Sequence, residues 1–189
     1  MKRSNNIFNQ DHVCPWWLIS LFDNPVRRFF HQPEKIFKAY INQDMTIFDI
    51  GCGMGYFTIG LAKLLGNKGK VIAIDLQPKM LNGVKLRAAK AGVIQQVQLQ
   101  QCNSDDLGIN DIGDFALTFW MVHEVPDIKH FMFQIFQSLK SKGKYLLVEP
   151  IIHVSKSKFL TIMDVALHTG FKRVDQPDIS FSRAVLFEK

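Results

Sequence analysis

No apolar run in the 189-residue chain approaches the roughly 20 residues that span a bilayer, which excludes a helical membrane span. The N-terminus, MKRSNNIFNQDHV, has two basic residues and no apolar stretch behind them, so no secretory signal is expected. Cysteine is scarce. Cys14, Cys52 and Cys102 form neither a CxxC pair nor a disulfide framework, a usage that suits a reducing cytoplasm. His12 and Cys14 stand as H-x-C, but a zinc site wants four ligands and none converge nearby in sequence, so no metal is expected. Blocks of one charge are also missing. The net charge is +6 and the pI about 9.3, yet the Lys and Arg residues are scattered, which favours a solvated surface over a nucleic-acid face.

The chain does have the composition of one globular domain, 47% hydrophobic and 21% charged. Strand-like apolar runs recur at Thr46–Asp49, Val71–Asp75, Val97–Gln101, Phe115–Trp120 and Tyr145–Glu149. Helix-like stretches lie between them at Tyr56–Leu65, Pro78–Ala91 and Lys129–Leu139, with a further one at Lys156–Thr169. The segments LLGNKGK and LKSKGK look like helix ends with glycine available for a C-cap. Strand–helix–strand alternation predicts a doubly wound, mostly parallel α/β sheet covered on both faces. The tail GFKRVDQPDISFSRAVLFEK predicts two more strands, an antiparallel hairpin turning at Gln176–Asp178.

Residues 1–45 differ: they are aromatic-rich and broken by Pro15, Pro25 and Pro33, which predicts short helices capping residues 46–189 or closing over a ligand. The aromatics Trp16, Trp17, Phe29 and Phe30 read as helix-to-sheet packing before a substrate cage.

The segment TIFDIGCGMGYFTIG carries the chemistry. In an open α/β sheet, ligands sit beyond the carboxyl ends of the strands, beside the first strand. Gly51, Gly53 and Gly55 are spaced G-x-G-x-G, and Tyr56 stands where a dinucleotide fold would place its third glycine. No Gly-Lys-Ser/Thr follows, which excludes a P-loop. Asp75 lies 20 positions after Gly55 at the tip of the second strand, where a carboxylate accepts from ribose hydroxyls. Asp49 sits just before the turn. It would repel a pyrophosphate and welcome an amine and a sulfonium, the charges of S-adenosylmethionine.

In order, FDIGCGMGYFT, VIAIDLQPKML, FALTFWMVHEVPD and LKSKGKYLLVEP resemble the successive motifs of class I S-adenosylmethionine-dependent methyltransferases. The likeness is to the type-11 group, and HVCPWWLISLFDNPVRR resembles the opening of a small-methyltransferase branch of it. The resemblance implies a seven-stranded Rossmann-like sheet with S-adenosylmethionine as cofactor and S-adenosylhomocysteine as product. It implies that Asp49, Gly51, Gly53 and Gly55 hold the methionine portion, Asp75 the ribose and Leu76 the adenine, with Cys52 a small residue beside them. In QCNSDDLG, Asn103 best matches the family's adenine-binding Asp, with Ser104 between it and the alternative, Asp105. Trp120 is placed to border the sulfonium, or is core.

For the acceptor side, His123 is a candidate base or a loop-satisfying histidine, and Glu149 a substrate contact or a strand-end cap. No Asn/Asp-Pro-Pro-aromatic tetrapeptide and no Pro-Cys nucleophile is present, which points away from methylation of adenine or glutamine amines and of cytosine C5. A small, partly apolar acceptor is expected. RNA or protein methylation and a non-catalytic cofactor-binding module are the alternatives.

Overall fold

The computed structural model describes residues 27–189. Two short helices, α1 (Arg27–Phe30) and α2 (Pro33–Phe37), precede a seven-stranded sheet. Its strands are β1 (Thr46–Ile50), β2 (Lys70–Asp75), β3 (Val97–Gln101), β4 (Gly113–Phe119), β5 (Leu139–Pro150), β6 (Lys172–Asp175) and β7 (Ser182–Glu188). The order is β3-β2-β1-β4-β5-β7-β6, with β1 to β5 parallel and β7 antiparallel between β5 and β6. The covering helices are α3 (Tyr56–Leu64), α4 (Pro78–Lys90), α5 (Ile128–Ser138) and α6 (Lys156–Thr169). The doubly wound sheet and the C-terminal hairpin match the expectation, with the ends of β1 to β4 within two residues, whereas β5 starts at Leu139, six residues before the expected Tyr145.

Strand alternation divides the core into two layers. Phe48, Ile50, Tyr145, Leu147 and Phe187 join the α5–α6 side, while Ile47, Phe115, Leu117, Leu146 and Val148 join the α2–α3 side. Such strands are buried on both faces, so they read as continuous apolar runs. On the α3 side α2 sits very close. Phe37 is fully buried and stands edge-on to Phe57 at 5.5 Å, and a Cβ on Gly60 would overlap Pro33.

Two helix ends differ from expectation. Gly66 does not cap α3: Leu65 turns extended and the Gly66 N–H donates to Gln43 O. Gly143 does not cap α5 either. Leu139 already belongs to β5, and Lys142 takes the left-handed conformation (φ 65°) and donates its N–H to Lys189 O, while Gly143 O accepts from Lys189 N. Hydrogen bonds to Gln43 and Lys189 satisfy these backbone groups in place of a local cap. Gly170 does cap α6, at φ 118°.

Of the expected N-terminal cap, residues 1–26, including His12, Cys14, Trp16 and Trp17, lie outside the described residues. Phe29 and Phe30 are not sheet packing: they are 79% and 47% exposed, and the Phe30 ring meets the Phe181 ring edge-on at 5.1 Å. The four-residue α1 is too short to lay an apolar face on the sheet, and the buried residue of this stretch is His31.

Candidate functional site

After β1 the backbone turns through Gly51, Gly53 and Gly55 at φ 70°, 53° and 84°, a region that only glycine enters without strain. Space is equally tight at Gly51, where a Cβ would lie 2.8 Å from Met121 Cγ. The N–H groups of Gly51 and Cys52 both donate to Ile74 O, at 2.8 and 3.1 Å, lacing the turn to β2. Asp75 completes the lacing. Its Oδ2 accepts from Gly53 N and its Oδ1 from Gln77 N, both at 2.9 Å. Burial pushes the Asp75 carboxyl above its ordinary range, opposed by the backbone donors of Gln77, Gly53 and Leu76.

Asp49 is buried and accepts a 2.5 Å hydrogen bond from the Thr58 hydroxyl, on the first turn of α3. Cys52 lies in the same turn, its N–H on Ile74 O. Burial, then the charges of Asp49 and Asp75, push its thiol well above the ordinary value. A thiol that senses both carboxylates marks the turn as electronegative, which suits a cation and disfavours a pyrophosphate. S-adenosylmethionine fits this donor set: it offers an ammonium, a sulfonium and two ribose hydroxyls to two carboxylates, at a backbone stripped of Cβ atoms.

The other residues expected on the cofactor side are placed as follows. Leu76 is half-buried directly after Asp75, and the Cys102 N–H donates to Asp75 O at 3.1 Å. Asn103, Ser104 and Asp105 form an exposed lip beyond β3, with Asp105 O accepting from Gln134 Nε2 at 3.0 Å. Trp120 ends β4 in a left-handed conformation (φ 62°); its indole N–H donates to Ser182 Oγ at 2.9 Å and its ring stands edge-on to His31. A groove of about 790 Å³ between α5 and α6, lined in part by Phe133, Asp164 and His168, contains none of these residues.

The two candidate acceptor-side residues meet. Glu149, fully buried at the end of β5, accepts from Val122 N through Oε1 at 2.9 Å and lies 2.5 Å through Oε2 from His123 Nδ1. His123 sits in a short 3-10 turn (Val122–Glu124) whose preceding residue, Met121, packs on Gly51. The dyad therefore adjoins the glycine turn. Three participants escaped the sequence reading. Thr58 was signalled only as a polar residue among Phe57, Leu61 and Ala62, and His153 only as a histidine four residues after Glu149. Buried His31, whose Nε2 lies 2.7 Å from Ser180 O, carried no signal.

A glycine turn after β1, an acid at the tip of β2 and an antiparallel β7 between β5 and β6 define a class I S-adenosylmethionine-dependent methyltransferase domain. The comparisons with known proteins agree. The model of a methyltransferase-domain family matches residues 41–173, and the chain belongs to that family. A ubiquinone/menaquinone biosynthesis C-methyltransferase from Wigglesworthia glossinidia brevipalpis is 30% identical over 57% of this chain and 44% of its own length. A demethylmenaquinone methyltransferase from Lactobacillus johnsonii is 31% identical over 53% of this chain and 42% of its own. The chain thus matches less than half the length of these curated relatives. Among solved structures, an S-adenosylmethionine-dependent methyltransferase from Aquifex aeolicus superposes with a TM-score of 0.83, at 21% identity, over 93% of this chain and 99% of that one. Among the described residues, no helix is long and apolar enough to cross a membrane.

Proposed function

We propose that this chain transfers the methyl group of S-adenosylmethionine to a small, partly apolar acceptor in the cytoplasm, and that the His123–Glu149 dyad serves the acceptor. The 2.5 Å contact between His123 Nδ1 and the buried Glu149 carboxylate carries the reading, because it equips the edge beside the glycine turn for proton transfer. The names of the curated relatives, which refer to quinones, support a small-molecule acceptor over RNA or protein.

The bound cofactor supplies an electrophilic methyl on a sulfonium. Asp49, Gly51, Cys52, Gly53, Gly55, Asp75 and Leu76 hold and orient it in this reading, with Asn103 to Asp105 at the adenine end. Alignment of nucleophile, methyl and sulfur in a dry site supplies on the order of 7 kcal/mol or more of barrier lowering. A hydroxyl or carbon acid must also lose a proton. Glu149 holds His123 as the Nδ1–H tautomer and stabilises the imidazolium formed when a proton reaches Nε2.

The test is calorimetry with S-adenosylmethionine, S-adenosylhomocysteine and NAD, followed by transfer of radiolabelled methyl to 1,4-naphthohydroquinone, other small phenols, thiols, amines, and RNA. Labelling of a small acceptor is expected. Labelling of RNA or protein alone would overturn the acceptor class, and cofactor binding without any turnover would favour a binding module.

A further inference from the structure

The chain of contacts does not stop at His123. His153, in the loop that leaves β5, has its Nε2 3.0 Å from His123 Nε2, with ring centroids 4.7 Å apart. The loop holding it is pinned on both sides. Ile151 N donates to Phe181 O at 3.0 Å, Arg183 Nη1 donates to Val154 O at 2.8 Å, and the Val154 side chain is fully buried. Ser155 then caps α6 by accepting from Lys158 N. His153 itself is exposed, whereas the His123 side chain is only 10% exposed. The outer ring is thus open to a ligand and the inner one is not.

The hydrogen positions follow from the partners. An ionised carboxylate only accepts, so His123 Nδ1 donates to Glu149, and the neutral ring keeps its lone pair at Nε2. Two lone pairs cannot face each other at 3.0 Å, so His153 donates through Nε2–H and carries its own lone pair at Nδ1. We propose that His153 is the residue that takes the proton from the acceptor, and passes it through His123 to the field of Glu149. In this relay the acceptor's X–H bond breaks and its proton forms the His153 Nδ1–H bond. His153 Nε2–H then breaks, and that proton forms His123 Nε2–H. The pair of electrons left on X attacks the methyl, and His123 ends as an imidazolium against Glu149. The reverse passage, from His123 to His153 and out to water, resets the pair.

The charges around the relay are consistent with this direction of travel. Glu149 faces His123 from β5, and Glu124 Oε1 lies 3.8 Å from His123 Nε2. Among the described residues, Lys158 of α6 donates to His123 O at 3.0 Å and Arg183 Nη1 donates to Val154 O at 2.8 Å, so both cations are taken up by backbone oxygens. The two carboxylates face the inner ring, which gives a ring that gains a proton its counter-charge. The proposal rests on the methyl-transfer reading for its purpose, while the hydrogen-bond chain itself can be tested without an acceptor.

The deciding experiment is nitrogen NMR of the histidine-labelled full chain, recording tautomers and the coupling across the N–H···N bond. Expected are an Nδ1–H tautomer at His123, an Nε2–H tautomer at His153, and a through-bond coupling between the two Nε2 atoms that His153→Phe abolishes. With the first acceptor that turns over, His153→Ala lowers kcat by about a hundredfold, and added imidazole restores part of it while S-adenosylmethionine affinity is unchanged. An Nδ1–H tautomer at His153, an undiminished kcat in His153→Ala, or micromolar zinc binding that needs both rings would each overturn the relay. Failure to bind S-adenosylmethionine would instead remove the methyl-transfer reading and leave the NMR result standing.

Discussion

The backbone N–H of Gly53 donates to Asp75 Oδ2 at 2.9 Å, so the glycine turn and the tip of β2 are locked together by the carboxylate expected to receive the ribose. One group holds the shape of the turn and, in the proposed reading, also meets the ligand.

Replacing Asp75 should therefore cost twice. Asp75→Ala leaves Gly53 N and Gln77 N without their acceptor and removes the contact to ribose, so calorimetry should show S-adenosylmethionine affinity falling by about 30-fold or more. Binding should also depend on pH. Burial raises the Asp75 carboxyl, so its neutral form stabilises the empty site below the ordinary carboxylate range, and that contribution is lost as pH rises through the raised value. Ligand hydroxyls favour the carboxylate, so affinity should weaken as pH falls into that window, and Asp75→Asn should flatten the profile.

Gly51→Ala should destabilise the fold by about 1–3 kcal/mol, because the turn needs φ 70° and the new Cβ would lie 2.8 Å from Met121 Cγ. Thermal melting of Gly51→Ala beside Gly51→Ala/Met121→Ala separates the two causes. Removing the Met121 side chain should relieve the clash and leave the backbone strain.

Thr58→Val keeps the shape of the side chain and removes the hydroxyl that donates to Asp49 Oδ2, leaving a buried carboxylate short of one hydrogen bond. Denaturant unfolding should show a loss of about 1–3 kcal/mol. Thr58→Ser should recover most of it, and equal losses for the two variants would reduce Thr58 to a packing residue.

Glu149→Gln retains an oxygen for Val122 N and loses the charge opposite His123. Turnover should fall by about a hundredfold with cofactor affinity intact, since the imidazolium loses its counter-charge. An unchanged kcat would make Glu149 a strand-end cap alone.

Cys102 provides a check on the electrostatics of the β3 edge. Burial, then the charge of Asp75, push its thiol from about 9 up to about 11. The folded protein keeps this proton where an unfolded chain has lost it, so the group's contribution to stability is complete below pH 9 and disappears as pH rises to 11. Iodoacetamide should accordingly label Cys102 roughly a hundredfold more slowly than a free thiol at pH 8. An Asp75→Asn background should speed the labelling.

The cofactor half of the site was legible in the sequence because local sequence order builds it. The β1 turn, its three glycines and the acid 20 positions on all belong to one strand–helix–strand unit, whose 2.0 and 3.6 periodicities place Asp49, Gly51 and Asp75 without reference to the rest of the chain. The acceptor half required the tertiary fold. Glu149 and His123 could be suspected singly, but their contact depends on β4 and β5 lying side by side, on a bulge at Lys142 that sets the β5 register, and on strand alternation that gives Glu149 the phase of Tyr145 and Leu147, towards α5 and α6. His153 and His31 were invisible for the same reason. Each gains its role from a partner 30 to 149 residues away, and residue type and spacing carry no information about contacts that only packing creates.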